Sequence, residues 1–162
     1  MSTTDYRPGL EGVVAGETGV ACVDQGKLLY RGYPIEDLAE NASFEEVAHL
    51  LLYGELPDAM QLEVIQAAFE TYQPLHRAVI EALRRIPETI PMMDVLRSMV
   101  SYSGHFDPVH GDEPEQLRQR AVWLTAQISA IIAARYRLVR GLEPLEPRCG
   151  LSHAAQLLYL CH

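Results

Sequence analysis

Six histidines, three cysteines and several adjacent carboxylates are the side chains that could carry acid–base, nucleophilic or metal chemistry. Spacing decides among these. His105 and His110 lie five residues apart beside Asp107 and Asp112, a set of nitrogen and oxygen donors that a divalent cation could use. Zinc sites draw on a second pair of ligands at recognised spacing, and none follows, while the same residue types also build a turn-rich loop. Cys149 and His153 offer a thiol and an imidazole for nucleophilic catalysis. Gly150 and Ser152 place them across a loop and a helix start, where the Ser152 hydroxyl is suited to cap first-turn N–H groups. Glu45-Glu46 and Asp112-Glu113-Glu115 are paired carboxylates in sequence, and their expected work is to cap and complement helix N-termini. Gly9, Gly12, Gly16 and Gly19 form no Gly-x-Gly-x-x-Gly, and no Gly-Lys-Ser/Thr occurs, so a phosphate-cradling loop has no support. Taken alone, the residues assign no catalytic, cofactor-binding or metal-binding side chain.

The elements that would position such groups are mostly helical. From Leu10 to Tyr33, Val13-Val14, Val20 to Val23 and Leu28 to Tyr30 are short apolar or β-branched runs between glycines, the pattern of a small antiparallel hairpin. Pro34 then suits the first turn of a short helix ending near Asn41. Ser43 with Glu46 has capping-box spacing, opening a helix with Phe44, Val47, Leu50 and Leu51 on one face and Gly54 and Pro57 at its end. Asp58 with Gln61 repeats the device before Leu62, Ile65, Ala68 and Phe69. Further helices are expected from about Pro74 to Ile86 and from about Met92 to Phe106. The longest should open at Asp112-Glu-Pro-Glu115 and reach Arg140. Its apolar positions, including Leu117, Val122, Trp123, Ile128, Ile132 and Tyr136, wrap more than one face, so it should be buried on several sides. The fold is therefore read as mainly α: residues 1–33 form a tail and β-hairpin, and residues 34–162 form a multi-helix array.

A chain of 162 residues is long enough for one core. Its net charge of -9 argues against nucleic-acid binding, which relies on Lys and Arg neutralising phosphates. Arg84-Arg85 and the arginines from Arg135 to Arg140 are expected on solvated helix surfaces. Cys22, Cys149 and Cys161 suit free thiols in a reducing compartment, and the N-terminus lacks the pattern of a signal peptide. A cytoplasmic protein is expected. The apolar run from Ala121 to Ala134 is shorter than the ~20 residues of a membrane span, so no membrane partner is expected.

The segment from Leu28 to Pro57 closely resembles the N-terminal signature of citrate synthases. The resemblance extends through Tyr6 to Ala15, Met92 to Arg97, and Leu151-Ser-His-Ala-Ala-Gln-Leu-Leu-Tyr-Leu160. Gln156 stands where the family usually has Asn, and Pro91-Met92-Met93 where His-Pro-Met is usual. The resemblance implies the family's large helical domain and condensation of acetyl-CoA with oxaloacetate to citrate and CoA without a metal, with a sibling activity on propionyl-CoA giving 2-methylcitrate. It also implies a homodimer joined through long helices. The carboxylate base and the histidines of that chemistry come from later segments, including a His-Gly-Gly-Ala-Asn block and a Gly-x-Gly-His-Arg block. Neither occurs here, so no catalytic residue carries over. The chain is expected to be an N-terminal portion, truncated at His162 within the apolar segment Leu157 to Leu160 and inactive by itself. A portion of a 2-methylcitrate synthase and a noncatalytic helical interaction module are the alternatives.

Overall fold

The computed structural model describes residues 16–162. The expected Val13-Val14 strand lies outside them. Strands β1 (Ala21–Asp24), β2 (Lys27–Tyr30) and β3 (Tyr33–Pro34) form an antiparallel meander in the order β1-β2-β3. Asp24 pairs with Lys27 and Tyr30 with Tyr33, so each connection is a two-residue turn. Both residues of each turn have positive φ, Gln25 and Gly26 at 47° and 79°, Arg31 and Gly32 at 49° and 91°. This conformation matches the twist of paired strands. The expected hairpin is present, with the short β3 added to it. Arg31 donates to the carbonyls of Gly19 and Leu51, tying the second turn to the helix Phe44–Tyr53.

Helices α1 (Ile35–Asn41), α2 (Phe44–Tyr53), α3 (Ala59–Tyr72), α4 (Arg77–Arg85), α5 (Met92–Ser103), α6 (Pro114–Leu138) and α7 (His153–Cys161) make up the rest, with a 3-10 turn at Gly104–Phe106 extending α5. The capping boxes at Ser43 with Glu46 and at Asp58 with Gln61 form as their spacing requires. Gly54 closes α2 at φ 96°. Two starts differ from expectation. Helix α4 begins at Arg77, with His76 Nδ1 accepting from the Ala78 N–H at 3.2 Å. Helix α6 is capped by Glu113, whose N–H donates to Gln116 Oε1 at 3.0 Å, because Pro114 takes the first helical position, where a missing N–H costs nothing.

The core has two parts joined by α6. Val79, Leu83, Val95 and Met99 pack on Ile131 and Ala134, while Ile65 and Phe69 pack on Val122 and Ala126. A helix apolar on several sides is thus covered on several sides; Leu117 in its first turn is an exception, 48% exposed. The surface assignment of the late arginines is corrected for two of them. Arg135 and Arg137 are buried. Arg135 donates to the carbonyls of Ile86 and Pro87 at 2.9 and 2.6 Å, and Arg137 Nε to that of Glu143 at 2.6 Å. These carbonyls follow helix ends or lie in loops and lack helical partners; the guanidinium groups supply donors to them, beside the Ile90 N–H that also reaches the Pro87 carbonyl at 3.1 Å. Arg140 remains exposed. Among the described residues, no helix is long and apolar enough to cross a membrane.

Candidate functional site

A cleft of about 320 Å³ lies between α3, the loop 146–152 and the start of α7. Three side chains organise its edge. The Ser152 hydroxyl accepts from the Ala155 N–H at 3.3 Å, as an N-cap does. Glu45, from the first turn of α2, accepts from the His153 N–H at 2.6 Å, and Glu70 of α3 accepts from the Gly150 N–H at 2.8 Å. Two carboxylates thus meet the N–H groups at and just before the positive end of α7. Gln156 faces the same loop from within the helix: in the amide orientation that satisfies both partners, its nitrogen donates to the Arg148 carbonyl at 3.1 Å and its oxygen accepts from the Arg148 N–H at 2.8 Å.

The His153 ring is stacked on Phe44, with centroids 4.4 Å apart and planes 10° from parallel, and tilted against Phe69 at 5.0 Å. Its Nδ1 is buried without a hydrogen-bond partner. Burial holds the imidazole below the usual histidine range, against a weaker upward pull from Glu45. The ring is thus favoured as a neutral packing group.

The structure separates the other candidate groups. Cys149 is an exposed thiol, whereas the His153 ring is held by its aromatic neighbours, and no hydrogen bond joins them. Asp107 pairs with Arg120 at 2.6 Å and accepts from the Val109 N–H, while Asp112 approaches the same guanidinium at 3.6 Å. His105 lies edge-on to Tyr102. Among the described residues, no group of three or more His, Cys, Asp or Glu side chains is placed to hold a metal. The carboxylate pair of α2 divides its work. Glu46 closes the box of its own helix, as expected; Glu45 caps another helix instead. The Ser152 cap is marked in the sequence, whereas Glu45, Glu70 and the Phe44–His153 stack are not, because each joins segments distant in the chain and no local pattern marks it.

Similarity to known proteins follows the same extent of chain. A sequence profile described as "Citrate synthase, C-terminal domain" matches residues 9–162. The chain belongs to the citrate synthase family. It is 37% identical to a 2-methylcitrate synthase of Mycobacterium tuberculosis across 98% of this chain and 42% of that protein. With a citrate synthase of Acidithiobacillus ferridurans it shares 36% identity across 99% of this chain and 44% of the relative. The crystal structure of citrate synthase from Pyrobaculum aerophilum superposes with a TM-score of 0.87 at 36% identity, covering 94% of this chain and 41% of that one. The chain therefore spans about two fifths of the length of the citrate synthases it matches. The resemblance read from Leu28 to Pro57 and from Leu151 to Leu160 is borne out, as is the mainly helical fold with a small antiparallel sheet.

Proposed function

We propose that this chain is the N-terminal portion of an enzyme that condenses acetyl-CoA with oxaloacetate to citrate and CoA. Residues 34–162 belong to its large helical domain, and the catalytic carboxylate and histidines are supplied by segments beyond this sequence. The observation that carries the reading is the close fit of nearly the whole chain to two fifths of a citrate synthase fold. In this reading the complete enzyme is a cytoplasmic homodimer that uses acetyl-CoA as substrate and needs no metal or resident cofactor. A stripe on α6 supports the dimer. Ala121, Thr125, Ile128, Ile132, Tyr136 and Val139 recur at helical spacing and are each only half-buried. This leaves a second helix room to pack.

A second reading, condensation of propionyl-CoA to 2-methylcitrate, is favoured by 39% identity to 2-methylcitrate synthase 2 of Corynebacterium glutamicum over 97% of the chain. One experiment tests both. The complete coding sequence is expressed, and CoA release is followed with oxaloacetate and either acyl-CoA; the better substrate decides between the readings. The 162-residue chain alone should give no turnover with either. Release by that chain at about 1 per second or faster, an ordinary enzymatic rate, would overturn the assignment as a portion. Absence of activity in the complete protein would favour the noncatalytic interaction module. Changing Ile128 and Ile132 together to Asp should convert the complete protein from dimer to monomer in sedimentation, with its helical content retained.

A further inference from the structure

The entry to α7 is held by groups from three elements, and one of them can change its charge near neutral pH. Glu45 of α2 and Glu70 of α3 grip backbone N–H groups, while the His153 ring of α7 fills the space against Phe44 and Phe69. We propose that this join is an acid-released latch, in which a proton taken up by the His153 imidazole loosens α7 and the loop 146–152 and opens the cleft between them.

The geometry opposes the charged ring in three ways. Nδ1 is buried with no partner, so a proton placed there has no acceptor. The ring sits at the first residue of α7, the positive end of the helix dipole. Its stacked and tilted aromatic neighbours leave that part of its surface without water.

The groups facing the ring and cleft divide by element. Glu45 comes from α2 and Glu70 from α3, both engaged with backbone N–H groups; Glu146, Arg148 and Cys149 come from the loop, and α6 contributes no residue to the cleft wall. Glu45 attracts the imidazolium, but burial outweighs it, and the docked ring binds its proton less readily than a free histidine. A released ring takes up the proton near the ordinary histidine value of about 6.5. Because the docked value lies lower, the released state binds more protons between the two values. Docking is therefore at full strength above about pH 6.5 and weakens as pH falls from there through the docked value.

Hydrogen exchange in the 162-residue chain tests this between about pH 8 and about pH 5, the range of histidine charge change. After correction for the intrinsic dependence of exchange on pH, protection over Ala154–Cys161 should fall several-fold on acidification while that of α4 and α5 holds. His153→Phe keeps an aromatic ring beside Phe44 and Phe69 and removes the titrating group, so its α7 protection should stay level. If that variant does not fold, NMR titration of the His153 ring in the unaltered chain replaces it, and its midpoint should coincide with the loss of α7 protection. Level protection in the unaltered chain, an equal loss in the variant, or midpoints that differ would overturn the latch.

Discussion

Glu45 of α2 accepts a hydrogen bond at 2.6 Å from the backbone N–H of His153, 108 residues further along the chain. A first-turn carboxylate of one helix thereby serves the N-terminus of another. It is 2% exposed, so its desolvation is offset by a bond that no local segment provides.

Replacing Glu45 with Ala should therefore destabilise the chain by about 1.5–3 kcal/mol, the range for a hydrogen bond to a charged group. Urea denaturation followed by the fluorescence of Trp123, the sole and buried tryptophan, measures the change. A loss within about 0.5 kcal/mol, typical of surface substitutions, would show that the contact carries no net stabilisation.

Gln156→Asn tests the reach of the second tie on the same loop. Removing one methylene withdraws the amide by about 1.5 Å, beyond both the N–H and carbonyl of Arg148. A buried amide left without partners should cost about 1–3 kcal/mol. Cleavage within 146–152 should accelerate in limited proteolysis, while α4 and α5 remain resistant. Unchanged cleavage would mean that Glu70 and Ser152 hold the loop without Gln156.

Much of the fold was legible because its signals are local. Ser43 with Glu46 and Asp58 with Gln61 mark helix starts through bonds spanning three residues, and the all-round apolar pattern of α6 announces a central helix. The cleft was not legible for the converse reason. Phe44 has the spacing of a core residue, yet remains 46% exposed, its ring stacked on a histidine from α7. Arg135 resembles any basic residue near a helix C-terminus; only folding brings it to carbonyls 48 and 49 residues away. Such long-range pairings leave no periodic mark.

Arg135→Met retains much of the buried stem but removes both donors from the Ile86 and Pro87 carbonyls. The expected loss is about 1.5–3 kcal/mol, the range for hydrogen bonds made by a charged group, with the Pro87 carbonyl keeping its bond from the Ile90 N–H. Arg135→Lys should recover only part of it, because an ammonium cannot reproduce the two-pronged guanidinium geometry. The midpoint of urea denaturation for the three chains checks the order. Equal midpoints for Arg and Met would show that the carbonyls find other donors at no cost.

The capping box at the start of α2 gives a pH-dependent prediction whose sign is fixed by its geometry. Glu46 Oε2 accepts from both the backbone N–H and the hydroxyl of Ser43, each at 2.7 Å, and the Ser43 hydroxyl accepts in turn from the Glu46 N–H at 3.2 Å. The backbone bond, then the hydroxyl bond, hold the Glu46 carboxyl below the usual range against a smaller effect of burial. Since the folded value is depressed, the unfolded chain binds more protons between it and the ordinary value of about 4.3. The stabilisation is therefore complete above about pH 4.3 and is lost as pH falls through the folded value. Glu46→Gln keeps an amide oxygen as acceptor and removes the charge. Its stability deficit against the unaltered chain should be clear at about pH 6 and should shrink toward about pH 3, below the ordinary carboxyl value. Ser43→Ala should cost about 1 kcal/mol near neutral pH through loss of the cap. Paired denaturation curves at the two pH values measure these differences, and a Glu46→Gln deficit that does not change with pH would show that ionisation of Glu46 contributes nothing to α2.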